Sequence, residues 1–176
     1  GVQTCALPIL LHDALDLPGP AAIRFPKTAA RVVGEDEVGH GLHAKRLRSG
    51  SDVCILGVGK MVGAALDAAA RLAASGVEAS VWDVRVVKPL DPAMIADAAG
   101  HPLVVTIEDG LRQGGAGTAV ADAVASRQAN RVPAANCRFV VATAGAGIHQ
   151  CLASVLVRSV NPTLSVCPSG TGLIAV

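Results

Sequence analysis

The segment VCILGVGKMVGAAL, Val53 to Leu66, constrains the fold more than any other stretch of the chain. An apolar run ends in Gly57, Gly59 follows, and a helix-like stretch carries Gly63. A run that is apolar at every position has no polar face to offer water, so it predicts a strand covered on both sides, as in parallel sheets. The alternation then repeats. Asp52–Gly57 reads as a strand and Met61–Ala74 as a helix, with Leu66, Ala69, Ala70 and Ala73 at helical spacing and Ser75-Gly76 as its stop. Ala79–Val84 is the next strand. PLDPAMIADAAG is a helix with Asp91 as N-cap and Pro92 at the first helical position. Pro102–Ile107 is a further strand and Thr118–Ser126 a further helix. Such spacing implies right-handed crossovers and a three-layer α/β/α fold on a mostly parallel sheet.

Composition supports that class. The chain has 176 residues, enough for one domain or one and a half, and 51% are hydrophobic. With one Trp, two Phe and no Tyr, the core must be built from Ala, Val, Leu and Ile. The net charge is +1 and no basic stripe is present, so a nucleic-acid partner is not expected. No apolar run reaches about 18 residues, so no membrane-spanning helix is expected either.

The charge is unevenly distributed. All 14 acidic residues lie between Asp13 and Asp122; from Val132 onward the only charged side chains are Arg138 and Arg158. Charged residues do most of the solvating of a domain surface, so residues 136–176 are read as an out-of-frame tail. The opening GVQTCALPI, residues 1–9, is read as a non-native, adapter-like segment. Cys54 is then the one native cysteine, a small buried hydrophobe within a strand, and a reducing bacterial cytoplasm is the expected compartment.

Three groups of residues invite a functional reading. Gly57, Gly59 and Gly63, with Asp83 near the end of the following strand, suit an NAD(P)-binding Rossmann-type module, in which the pyrophosphate meets the helix N-terminus and an acid holds the ribose. The third glycine is one position late, however, and a tight strand-to-helix turn would need the same small residues. Gly114, Gly115, Gly117 and Thr118 follow the strand VVTIED and open a helix; they suit either an anion-binding loop or a turn that lets helix and sheet pack closely. Arg24 and Arg85 follow or end apolar strands, Ala21–Phe25, stopped by Pro26, within AAIRFP, and the strand of VWDVRVVKP. Ligands of open parallel sheets collect beyond the carboxyl ends of strands, and guanidinium binds two oxygens of a phosphate at once. Surface or linker pairing is the alternative for both. No His-x-x-x-His or Cys-x-x-Cys spacing predicts a metal site, and no Gly-x-Ser-x-Gly predicts a nucleophilic serine.

Taken in order, GPAAIRFPK, GVGKMVGAALDAAARLAASGVEASVWDVRVVKPLD, HPLVVTIEDG and GGAGTAV resemble the C-terminal part of the 1-deoxy-D-xylulose-5-phosphate synthase family, within the transketolase-like thiamine diphosphate enzymes. The resemblance spans residues 10–131. It is looser to transketolase itself and to the β subunits of 2-oxo acid dehydrogenases. It implies that residues 10–26 end a pyrimidine-binding domain, 27–50 form a linker, and 51–135 form a transketolase C-terminal domain; the polar, Gly-containing residues 27–50, with no stable period, by themselves read as a linker with one hairpin. It implies an enzyme that joins pyruvate to glyceraldehyde 3-phosphate with thiamine diphosphate and Mg2+, as a homodimer. Arg24 and Arg85 match the arginines that meet the substrate phosphate in that family. The glycine turn at Gly57 then reads as architecture. The pattern departs at Lys27-Thr28, where the family has Arg-Gly. The diphosphate-binding Gly-Asp-Gly…Asn motif and the catalytic glutamate are absent, so neither cofactor is expected to bind this chain alone, and the chain alone is expected to be inactive. The strand, His-Gly stretch and acidic helix that the family carries last are not recognisable in residues 136–176.

Overall fold

The computed structural model describes residues 6–25, 33–111, 113–129 and 138–143. Helix α1 (Ala6–Leu15) precedes a five-stranded sheet made of β1 (Lys45–Arg48), β2 (Val53–Gly57), β3 (Ala79–Asp83), β4 (Leu103–Glu108) and β5 (Arg138–Thr143). Helices α2 (Val62–Ala73), α3 (Pro92–Ala98) and α4 (Ala116–Ala129) connect the strands. The sheet order is β1-β3-β2-β4-β5. β2, β3, β4 and β5 run parallel, and β1 is antiparallel to β3 at one edge.

Each face of the sheet has its own core. Val53, Ile55, Val81, Val105 and Ile107 pack with Ala64, Ala65, Ala68, Ala69 and Leu72 of α2. Cys54, Leu56, Trp82 and Val104 pack on the other face with Met94, Ile95 and Ala98 of α3 and Val120 and Val124 of α4. Every residue of β2 and of β4 is buried, which fits the apolar run of β2 and the mainly apolar β4, whose polar members are Thr106 and Glu108. Helix α3 begins as expected: Pro92 stands in the first turn and the Asp91 carboxylate accepts the Ala93 N–H at 2.7 Å.

Four expectations are corrected. Ala21–Phe25 forms no strand; it has no neighbouring strand to pair with among the described residues. Among its described residues, 33–50, the linker contains one 3-10 turn (Glu35–Glu37) and no hairpin, and KRLR is the sheet-edge strand β1. Its charges mask the alternation of a half-buried strand, and they are what a solvent-facing edge tolerates best. Arg46 lies over Trp82, 5.7 Å from the ring centroid, and 3.8 Å from Asp97. In α2, Ala70 is exposed, and the buried stripe is Val62, Ala64, Ala65, Ala68, Ala69 and Leu72. An alanine-rich helix offers apolar residues on every side, so periodicity alone misplaces its face. The fourth correction is β5, which pairs with β4 over its full length, Leu103 to Arg138 through Glu108 to Thr143. A strand therefore exists where none was recognisable.

Candidate functional site at the carboxyl edge of the sheet

The parallel strands place their carboxyl ends along one edge. From β2 the chain crosses to β3 on one side, and after β3 it returns to β4 on the other. Between β2 and β4 the direction of winding reverses, and crevices form beyond the strand ends at such a point. Residues from both strand-end turns meet there. Lys60, in the 3-10 turn before α2, forms an ion pair with Asp109, the residue after β4. The Lys60 ammonium holds the Asp109 carboxyl below its ordinary value, chiefly by their hydrogen bond, with the Arg24 charge adding to the effect. Arg24 arrives from the segment after α1, is exposed, and donates from Nη2 to the Asp109 carbonyl at 3.3 Å. Sequence reading found Arg24 but neither Lys60 nor Asp109, whose significance lies in an encounter across two crossovers.

Arg85, just past β3, has a different setting. Its side chain is only 4% exposed. Nη1 donates to the carbonyls of Gly41 (3.2 Å) and His43 (2.7 Å), and the backbone N–H donates to Asp83 Oδ1. Gly39 packs directly on the guanidinium; a Cβ there would stand 2.8 Å from Arg85 Cδ. Nη2 lies 3.8 Å from Asp13 Oδ2 and is buried without a hydrogen-bond partner. The backbone has φ +52°, a conformation that costs a side-chain-bearing residue on the order of 1–3 kcal/mol. Asp83 thus turns its carboxylate toward its own chain.

The Arg85–Asp91 segment brackets the turn at residues 40–44. Arg85 takes the Gly41 and His43 carbonyls from one side, and Asp91 takes the Ala44 N–H at 2.9 Å from the other. His43 Nδ1 lies 3.5 Å from the same carboxylate. Burial pushes the Asp91 carboxyl up, but hydrogen bonds from the Ala93, Ala44 and Met94 amides, with His43 nearby, outweigh it and hold the group below its ordinary value.

The glycine-rich loop before α4 does hold an anion, and the anion is internal. Glu108 is buried, and its two carboxylate oxygens accept the Ala116 and Gly117 N–H groups at 2.9 and 3.1 Å. The N–H groups at the start of a helix are otherwise unpaired and attract negative charge, so this carboxylate caps α4. Gly115 is obligatory for the arrangement, because a Cβ there would overlap the Leu111 carbonyl and Glu108. Gly114 has φ +73°, and Thr118 is exposed within the first turn, its N–H donating to Gly115.

In the other glycine turn, Gly57 ends β2 against Val62, Gly59 takes φ +58°, and Gly63 lies inside α2 beside open space. One set of metal-ligating types comes together among the described residues: Cys54, Asp97 and His101, with ligand atoms within 4.8 Å of one another. No sequence spacing could reveal it, since it is assembled from β2, α3 and the turn before β4. Its groups are engaged by the protein itself. The Trp82 indole donates to Asp97, and the His101 ring nitrogens face the carbonyls of Asp97 and Gly50 at 2.9 and 3.0 Å. No helix among the described residues is long and apolar enough to cross a membrane.

Comparison with known proteins agrees with this architecture. A split-gene transketolase, described as an inactive beta4 tetramer, superposes with a TM-score of 0.59 at 26% identity, over 74% of this chain and 45% of that one. Curated relatives are named 1-deoxy-D-xylulose-5-phosphate synthase. Those of Anaeromyxobacter dehalogenans strain 2CP-1 and Magnetococcus marinus are 43% and 38% identical over 124 and 125 residues. The matches cover 67% and 68% of this chain and 20% of each relative, so the chain spans about a fifth of their length. The model of the transketolase C-terminal domain matches residues 42–156, and the chain therefore belongs to the transketolase C-terminal domain family.

Proposed function

We propose that this chain is the C-terminal-domain region of a 1-deoxy-D-xylulose-5-phosphate synthase, acting in the bacterial cytoplasm as a homodimer. The reaction joins pyruvate to glyceraldehyde 3-phosphate and releases CO2. The observation that carries this reading is the series of curated relatives of that one name, at 38–44% identity. In this reading residues 10–26 close the pyrimidine-binding domain and 27–50 lead from it into the C-terminal domain, whose sheet runs on through β5 at Arg138–Thr143.

Thiamine diphosphate, when bound, supplies the carbon–carbon bond chemistry of such an enzyme. The described residues do not fit that cofactor or its Mg2+. The amides of the glycine-rich loop already serve Glu108, and Cys54, Asp97 and His101 are engaged within the core. In this reading the cofactor's ligands belong to other parts of the enzyme, and the present residues act on the aldehyde substrate. Arg24 and Arg85 bind its phosphate. A phosphate gripped at two fixed cations turns the aldehyde carbonyl in one direction, which is the entropic part of catalysis. Arg85 is suited to a fixed role because two carbonyls set the plane of its guanidinium. Arg24 is tied to the strand-end crevice through Asp109.

The test is an assay of the full-length protein containing this chain for pyruvate-dependent CO2 release with glyceraldehyde 3-phosphate. Arg85→Ala and Arg24→Ala should each raise KM for the phosphorylated aldehyde by about tenfold or more, the effect of losing a charge-assisted hydrogen bond. Unchanged KM in both variants would remove the phosphate role.

A further inference from the structure

The unpaired donor at Arg85 has a neighbour that no catalytic reading uses. Asp13, near the end of α1, places Oδ2 3.8 Å from Arg85 Nη2. The same oxygen accepts the Gly41 N–H at 2.8 Å. A purely structural pair of guanidinium and carboxylate closes to about 2.7–2.9 Å. Here the carboxylate is restrained by Gly41 and stops short, leaving Nη2 buried and unbonded.

Two observations and one electrostatic consequence bear on what this does. Nη1 is committed to two carbonyls, which leaves Nη2, the terminal nitrogen that Asp13 faces, without a hydrogen-bond partner. Asp13 is the more exposed member of the pair, 23% against 4%. A phosphate oxygen within bonding distance of Nη2 would sit a few ångströms from the Asp13 carboxylate, and like charges that close repel strongly in a partly desolvated site.

We propose that Asp13 is a tethered competitor for the substrate phosphate at Arg85, a carboxylate built into the site that weakens its grip on the phosphorylated aldehyde. The proposal rests on the reading of Arg85 as a phosphate contact. Asp13 touches no reacting atom; it acts on affinity through Arg85.

The test uses the full-length protein with its cofactor supplied. KM is measured for glyceraldehyde 3-phosphate and for D-glyceraldehyde, which lacks the phosphate. Asp13→Asn keeps an oxygen for the Gly41 N–H and removes the charge. The ratio of KM for D-glyceraldehyde to KM for glyceraldehyde 3-phosphate should rise about fivefold, the effect of removing one like charge at this range. A ratio that is unchanged or falls overturns the proposal. Should the Asn variant fail to fold, Asp13→Ser, which also retains an acceptor, is judged by the same ratio. Arg85→Ala separates the two readings. If it leaves the ratio unchanged, Arg85 does not meet the phosphate at all. If it lowers the ratio while Asp13→Asn does nothing, Arg85 keeps its role and Asp13 is only structural.

Discussion

Arg24 and Arg85 look alike in sequence and have opposite surroundings. Each follows an apolar segment and faces the carboxyl edge of the sheet. Arg24 is exposed and, among the described residues, makes one hydrogen bond, to a backbone carbonyl. Arg85 is buried, adopts a positive φ, and binds the 40–44 turn from inside. An exposed arginine can be given up to a ligand at little cost to the fold. A buried one serves the fold first, and any ligand must share it. One residue type in one kind of motif thus yields two kinds of site, decided by what the rest of the chain packs on top.

This contrast gives the largest expected effect. Arg85→Ala should destabilise the protein by about 2–4 kcal/mol, because the Gly41 and His43 carbonyls lose their donor beneath the 40–44 turn. Arg24→Ala should stay within about 0.5 kcal/mol, as surface substitutions do. Urea unfolding of the two variants side by side measures both, and equal losses would abolish the distinction. Glu108→Ala comes next, at about 2–3 kcal/mol, since two amides at the start of α4 would be left without an acceptor; Glu108→Gln, which keeps one oxygen, should lose less.

Asp91→Ala is expected to cost about 1–2 kcal/mol through the lost cap of α3. Its pH dependence has a definite sign. The folded carboxyl titrates below its ordinary 3.8, so its stabilisation is complete above that value and fades as pH falls through the lower folded value. The gap between wild type and Asp91→Ala should therefore be constant from pH 5 upward and close below about pH 4. A gap that persists in stronger acid would mean that the cap does not depend on the charge. The smallest effect concerns the exposed Lys60–Asp109 pair. Lys60→Met should leave stability unchanged within error and let the Asp109 carboxyl titrate closer to its ordinary value, measurable by NMR.

Much of the fold was legible. The strands β2, β3 and β4 announce themselves by short, mainly apolar runs that Ser80, Thr106 and Glu108 interrupt only singly, and α3 because Asp91-Pro92 is a strong start signal. β1 was not legible, because an edge strand made of KRLR owes its place to Arg46 on Trp82 and to pairing with β3, neither of which is local. β5 was hidden by a surrounding sequence that lacks acids. The buried face of α2 was misjudged because its alanines blur the period. At the candidate site, sequence pattern located Arg24, Arg85 and the glycine-rich loop. It could not show that Glu108 already fills that loop, nor that Lys60, Asp109 and Asp13 come to the two arginines from distant parts of the chain.

The alanine stripe of α2 has a further consequence. Ala64, Ala65, Ala68 and Ala69 make up the middle of the contact between that helix and the sheet, with Leu72 toward its end, so along most of the helix the distance between the two layers is set by methyl groups. Any larger side chain would have to push a whole helix outward, whereas the opposite face, lined by Trp82, Met94 and Leu56, can exchange one bulky side chain for another. The two faces should therefore drift at different rates over evolutionary time: the α2 face nearly frozen in size, and the α3–α4 face free to vary in shape while keeping its volume.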